Sequence, residues 1–280
     1  MPTLHAKKSL GQNFLVDEKA RGRIASAAGI VSGETVVEIG PGTGLLTTEL
    51  LTFPLAKLIA FEIDNRAISL LQSEINDARF EVRNQDILGA DLHGLAMEIG
   101  SKVKLVGNIP YYITSPILFK LMDDRDAISS ALLLVQFEVA ERLSAVPRTK
   151  AYGIPTVLAN FFGEVKFLFK VKAGSFNPVP NVDSALVRID FGQDYFTRSQ
   201  TSAPQHFDSK TFQRFVRTMF AMRRKMLRNN LKAFLSAEEY VASCQSEAVM
   251  NYLQRRAEEL DVREFVHFFS EVELTRAVKS

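Results

Sequence analysis

Thr35-Val36-Val37-Glu38-Ile39-Gly40-Pro41-Gly42-Thr43-Gly44 is the stretch on which the fold turns. Its β-branched first half reads as a short strand and its glycine-rich second half as a tight turn; Leu45 to Leu51 continues as a helix. Strand, glycine turn and helix in that order form a nucleotide-binding unit, because glycines let the backbone approach a ligand beside a helix N-terminus. The spacing is G-x-G-x-G, which differs from the G-x-G-x-x-G of dinucleotide sites. A second strand, Leu58-Ile59-Ala60-Phe61, ends in Glu62-Ile63-Asp64, 22 positions beyond Gly40. A carboxylate at that tip is placed to accept hydrogen bonds from both hydroxyls of a ribose. Gly40, Gly42, Glu62 and Ile63 therefore suit either NAD or S-adenosylmethionine.

Two later stretches favour the adenosyl ligand. A third strand, Arg79 to Arg83, leads into Gln85-Asp86-Ile87, where an acid can accept a hydrogen bond from an adenine amine. A dehydrogenase has no particular use for it. Further on, the apolar run Val103 to Val106 ends abruptly in Gly107-Asn108-Ile109-Pro110-Tyr111-Tyr112. That is the carboxyl end of a buried parallel strand, where open α/β sheets place their sites. A helix capped by Thr114 or Ser115, with Pro116 near its first turn, is expected to follow. Asn108 offers an amide oxygen, Pro110 fixes the backbone and donates no hydrogen, and Tyr111 offers a stacking face. Together they suit a flat base carrying an exocyclic amine. In Ser175-Phe176-Asn177-Pro178-Val179-Pro180-Asn181-Val182-Asp183-Ser184, two prolines stiffen the loop, and Phe176 is expected opposite Tyr111, clamping that base between two rings.

Read in order, the chain alternates. Asp17 looks like the cap of a first helix, and further strands fall at Ala131 to Gln136, Val165 to Val171 and Ala185 to Phe191. About seven strands with helices between the first five predict a parallel sheet with an antiparallel hairpin at one edge. The expected organisation is an α/β domain over 1–192 with 1–16 as a flexible arm, a polar linker over 193–209, and a smaller all-helical domain over 210–280. In the last, Ser236-x-x-Glu239 and Asp261-x-x-Glu264 read as capping boxes.

Composition bounds the rest. With 46% hydrophobic and 24% charged residues, the 280-residue chain is long enough for a sizeable core and has no run of membrane-spanning length. The single cysteine, Cys244, excludes an internal disulfide, and the four histidines lie far apart, so no metal is expected. A reducing cytoplasm is the natural setting. A net charge of +2 does not announce a nucleic-acid binder, but its distribution does. Arg214, Arg217, Arg223, Arg224, Lys225, Arg228 and Lys232 occur with no acid among them, which argues for a phosphate partner.

Gln12-Asn13-Phe14-Leu15, Glu38 to Gly44, Asn108-Ile109-Pro110-Tyr111, Gln136-Phe137-Glu138-Val139-Ala140-Glu141-Arg142-Leu143, Phe176 to Ala185 and Arg223-Arg224-Lys225-Met226-Leu227-Arg228-Asn229-Asn230-Leu231 together resemble the KsgA/RsmA ribosomal RNA adenine dimethyltransferases. The resemblance runs from about Lys7 into the C-terminal helices. It implies a Rossmann-like, S-adenosylmethionine-dependent sheet and dimethylation of N6 on two adjacent adenosines, in the hairpin loop near the 3′ end of 16S rRNA, during ribosome biogenesis. It implies action on the immature 30S subunit, with cofactor contacts at Asn13, Leu15, Gly40, Glu62, Asp86 and Asn108, Ile87 beside them, and the arm as a lid; a monomer is expected. Asn181, Phe137 and Met226 depart from the family pattern and put individual RNA contacts in question. Rival readings are an Erm-type large-subunit rRNA methyltransferase and a non-catalytic ribosome-assembly or transcription-factor relative.

Overall fold

The computed structural model describes residues 4–7, 10–204 and 207–277. Residues 1–3, 8 and 9 of the expected arm, 205 and 206 of the expected linker, and 278–280 of the expected helical domain lie outside the described residues. The chain forms two compact units, one of residues 1–140 with 164–192 and one of residues 141–163 with 193–280.

The first unit opens with β1 (Phe14–Leu15) and α1 (Glu18–Ala27), the latter capped by Asp17, whose side chain accepts from the Ala20 N–H. It continues with β2 (Thr35–Ile39), α2 (Leu45–Leu51), β3 (Lys57–Glu62), α3 (Asn65–Glu74), β4 (Phe80–Asn84), α4 (Leu92–Ile99), β5 (Val103–Asn108), α5 (Thr114–Asp123) and β6 (Ile128–Gln136). Helix α6 (Phe137–Leu143) spans the boundary in sequence between the units, and α7 (Ile154–Phe162) belongs to the second; β7 (Glu164–Val171) and β9 (Ser184–Asp190) return to the sheet of the first unit, while β8 (Phe176–Asn177) lies outside it.

Seven strands lie in the order β4-β3-β2-β5-β6-β9-β7. The first five are mutually parallel, and β9 runs antiparallel to both β6 and β7, as the strand pattern predicts. The order reverses between β2 and β5, so the glycine turn and the Asn108 turn leave the sheet side by side at its carboxyl edge. This adjacency is what a topological switch point provides. The central strands are buried on both faces, with Val36, Val37, Ile59, Leu105 and Leu133 all inaccessible.

Three local expectations need refining. Helix α5 begins at Thr114 with Ile113 as its cap and no capping side chain, because the Thr114 hydroxyl turns back to the Pro110 and Tyr111 carbonyls. Helix α4 fills the expected place between the third and fourth strands, but its bounds were not legible: its cap, Asp91, sits directly after a turn ending in Ala90, and Gly94 dilutes its pattern. The end of the expected arm, Phe14 and Leu15, is a paired strand. β1 pairs antiparallel with β8, with Leu15 opposite Phe176, forming a second small sheet.

The second unit is helical, with α8 (Tyr195–Ser199), α9 (Ser209–Ala221), α10 (Leu227–Phe234), α11 (Ala237–Ser243), α12 (Glu247–Leu253) and α13 (Val262–Ala277). Its core is aromatic: Phe212 lies 4.5 Å from Phe161 and 5.4 Å from Phe269, ring centre to ring centre. Within the expected linker, Asp194, Phe196 and Phe207 belong to this packing. Asp194 caps α8, and Phe207 stacks on Phe161 and meets Phe196 and Phe269 edge-to-face. The polar composition around Tyr195, Phe196 and Phe207 conceals that role. Both capping boxes form, each with reciprocal side-chain and backbone bonds.

Candidate active site

The first unit holds a cavity at the carboxyl edge of its sheet, about 740 Å³ of atom-free space including the mouth. Gly40 and Gly42 line it from the β2 turn, Glu62 and Ile63 from β3, and Asp86 and Ile87 from the turn after β4. Asn108 to Ile113 line it from β5, and Leu10 to Phe14 from the arm. Every expected cofactor contact except Leu15 therefore faces one space. Leu15 lines a small neighbouring cavity, with Glu38, Gly40, Thr43 and Asn108.

The glycine turn is shaped by what crosses it. Gly40 and Gly42 have φ of +64° and +56°, and a Cβ on Gly42 would come 2.9 Å from the Phe14 ring. A side chain there would be strained and would also push the arm away. Glu62 is 6% exposed, and its carboxylate accepts from Gly42 N–H at 3.2 Å, Ile63 N–H at 2.8 Å and Asp64 N–H at 2.9 Å. A carboxylate offers about four acceptor positions, so the residue also ties the glycine turn to β3. Its role is wider than the sequence suggests.

Glu38 is fully buried at the end of β2. Burial pushes its carboxyl up to about 8; the nearby Thr47 hydroxyl opposes this, and the Glu62 charge adds to it. Glu38 Oε2 and Thr47 Oγ1 have no hydrogen-bond partner. Sequence reasoning passed over this glutamate, although an acid inside an apolar strand was its visible sign.

Asn108 Nδ2 donates to the Asn13 carbonyl at 2.9 Å. That bond orients the amide and leaves Oδ1 as an acceptor with no donor among the described residues. The Pro110 carbonyl accepts from Ile113 N–H at 3.1 Å and from Thr114 Oγ1 at 3.4 Å. Tyr111 is half-buried, with its hydroxyl 2.9 Å from Ser184 Oγ; loss of water around it, the main cause, raises its pKa.

A second, more open cavity is lined by Asn13, Phe14, Tyr111, Gln136, and Asn177 to Val182. Tyr111 is common to both cavities. Phe176 lines neither. It is 2% exposed and packs into the core with Leu15, Ile24 and Leu134, so the expected clamp of two rings is not assembled in this conformation. The strand pairing of the arm covers it.

The arm is latched from below. Gln12 Nε2 donates to Asp64 Oδ2 at 3.3 Å and Lys7 Nζ lies 3.5 Å from Oδ1, while Arg66 holds the same carboxylate from the other side. A bond to a charged, buried acceptor contributes about 1.5 kcal/mol or more, roughly a factor of ten in opening. Gln12→Ala should therefore speed hydrogen exchange at Phe14 and Leu15 about tenfold. Equal exchange rates would show that the latch does not hold the arm.

In the helical unit, Arg224, Lys225 and Arg228 are exposed and make no ion pair among the described residues. Arg223 differs: it pairs with Glu258 at 2.9 Å and donates to the Thr149 and Lys150 carbonyls, so it ties together pieces of its own unit. Arg217 is exposed on α9 and has a partner of its own. Of the three family departures, Phe137 packs edge-to-face on Phe167, Met226 stands at the cap of α10, and Asn181 lines the second cavity. Among the described residues no cluster of His, Cys, Asp and Glu is arranged to hold a metal ion, and no helix is long and apolar enough to cross a membrane.

Comparison with known proteins agrees with this geometry. The sequence profile of the ribosomal RNA adenine dimethylase family matches residues 3–271. A protein of Chlorobaculum tepidum named ribosomal RNA small subunit methyltransferase A is 42% identical over 96% of this chain and 90% of its own. The protein of that name from Metamycoplasma arthritidis is 39% identical over 94% and 95%. Among solved structures, a dimethyladenosine transferase from Plasmodium falciparum superposes with a TM-score of 0.77 at 27% identity, covering 94% of this chain and 98% of that one. The 23S rRNA methyltransferase ErmE gives 0.65, also at 27%, covering 93% and 100%. With near-complete coverage in both directions, the chain belongs to the ribosomal RNA adenine dimethylase family.

Proposed function

We propose that this protein is an S-adenosylmethionine-dependent methyltransferase that dimethylates adenine N6 in small-subunit ribosomal RNA. The observation that carries the reading is the placement of Asn108: its amide, oriented by the bond from Nδ2 to the Asn13 carbonyl, belongs to a residue lining the cavity that the glycine turn and the Asn-Ile-Pro-Tyr turn share. The finer reading is that the targets are two adjacent adenosines in the 3′-terminal hairpin loop of 16S rRNA, within an immature 30S subunit. The enzyme would act as a cytoplasmic monomer.

The residues present fit the cofactor. Glu62 would hold a ribose and Asp86 an adenine amine, and Ile39, Phe61, Ile63 and Ile87 line the cavity as apolar walls. When bound, S-adenosylmethionine supplies a methyl group on a positively charged sulfur. The chain's own task is to make a poor nucleophile attack. Adenine N6 is unreactive because its lone pair is delocalised into the ring. Asn108 Oδ1 would accept one N6–H and a neighbouring peptide carbonyl the other, drawing the amine towards tetrahedral geometry. The Ile109 carbonyl is the better second acceptor, since that of Pro110 already takes two donors. Stacking on Tyr111 would hold the base out of its stack, a contribution of ~1–3 kcal/mol. Positioning carries most of the catalysis.

Similarity to ErmE keeps large-subunit RNA as a second reading, and the higher identity to small-subunit enzymes disfavours it. Incubation with labelled S-adenosylmethionine and unmethylated small or large subunits should label the small subunit alone. Label on large subunits only would overturn the assignment.

Arg224, Lys225, Arg228 and Arg217 would contact phosphates, with Arg223 supporting them from within the unit. Replacing Arg224, Lys225 and Arg228 together by Ala should flatten the salt dependence of RNA binding by roughly 2–3 in log–log slope. An unchanged slope would leave these residues as solvated surface.

A further inference from the structure

The mechanism above accounts for the reacting amine and leaves unexplained how the rest of the base is read. One polar side chain in the second cavity is otherwise idle. Gln136 closes β6, is half-buried, and its carboxamide makes no hydrogen bond to the protein among the described residues. Strand register places it closely. Asn108 on β5 is in register with Leu134 on β6, and neighbours in register project from the same face of a sheet. Gln136 lies two residues beyond Leu134 and so shares that face with Asn108. On its other side Gln136 is directly opposite Ser184, whose hydroxyl meets Tyr111. The amide thus stands beside the proposed stacking ring, one strand from the amide that would hold the amine.

We infer that Gln136 is a specificity-determining residue, whose amide N–H donates to a ring nitrogen flanking the amine of the target purine. The inference rests on the adenine N6 reading above. A carboxamide suits the job because adenine presents an acceptor, N1 or N7, on each side of its amine, and glutamine pairs with that donor–acceptor pattern. Guanine places an oxygen where adenine carries the amine, so it would set acceptor against acceptor at Asn108. Cytosine also carries an amine beside a ring nitrogen, and a contact at N7 would exclude it.

The test uses the full chain with small subunits reconstituted from rRNA carrying adenosine, 1-deazaadenosine or 7-deazaadenosine at the target position. Each analogue replaces one ring nitrogen by C–H and keeps the amine. Wild-type enzyme should lose roughly 10- to 100-fold in kcat/KM on one analogue, the size expected for a base-reading contact. Gln136→Ala should lose a comparable factor on adenosine and show no further loss on that analogue. Gln136→Glu, which sets an acceptor against an acceptor, should be worse than Ala on adenosine. Should the analogue penalty persist undiminished in Gln136→Ala, or be absent from the wild type, Gln136 does not read the base. In either case wild-type methylation of adenosine would leave the functional reading standing, whereas no methylation of adenosine by the wild type would remove both.

Discussion

Asn108→Ala should keep cofactor affinity within several-fold and lose roughly 10²–10³ in single-turnover methyl transfer, equivalent to ~2.7–4 kcal/mol of transition-state stabilisation. The amide would act twice. Its nitrogen donates to the Asn13 carbonyl and so ties the arm to the β5 turn. Its oxygen is the proposed acceptor for the reacting amine, an interaction that strengthens as N6 becomes tetrahedral. Losing the first function affects binding, because the arm forms one wall of the cavity. Losing the second affects the chemical step alone. Calorimetric titration with the cofactor, beside single-turnover rates at saturating RNA, separates the two. A near wild-type rate in Asn108→Ala would remove the residue from the mechanism.

The second large effect is on stability. In the folded chain Glu38 titrates at about 8, against 4.5 when unperturbed, since burial disfavours its charge and Glu62 repels it. Between those two pH values the native state keeps a proton that the unfolded chain has lost. Stability must then fall as pH rises through this window, and the full penalty is present above the folded value. The span corresponds to an upper bound of about 5 kcal/mol. Glu38→Gln keeps the shape and cannot ionise. It should therefore melt close to wild type near pH 5 and be markedly more stable than wild type near pH 8, with most of the pH slope gone. Identical slopes in the two proteins would show that Glu38 ionises freely in the fold.

Much of the site was legible before the fold. Glycine spacing, the acid 22 positions beyond Gly40, Asp86 after the third strand and the Asn-Ile-Pro-Tyr turn each carry their meaning in local chemistry, and the structure gathers them into one cavity. Helix α9 was equally plain, since Phe212, Phe215, Val216, Met219 and Phe220 recur at helical spacing and all are buried. Less legible were the residues whose surroundings come from far along the chain. Phe176 in an extended proline loop reads as available to a ligand, yet the arm folds over it and buries it. Arg223 looks like its basic neighbours until Glu258, Thr149 and Lys150 are seen around it.

The amino-acid sequence by itself determined the alternation of strands and helices, the parallel sheet with its antiparallel edge, and which residue types stand at the strand ends. These follow from periodicity and from glycine and proline chemistry, which act over a few residues. Tertiary structure alone decided that Phe14 and Leu15 form a paired strand with Gln12 latched to Asp64, that Phe196 and Phe207 pack into the helical unit, and that Glu38 is buried with one carboxyl oxygen unpartnered. Burial and long-range hydrogen bonding depend on which distant segments meet. No local pattern encodes that.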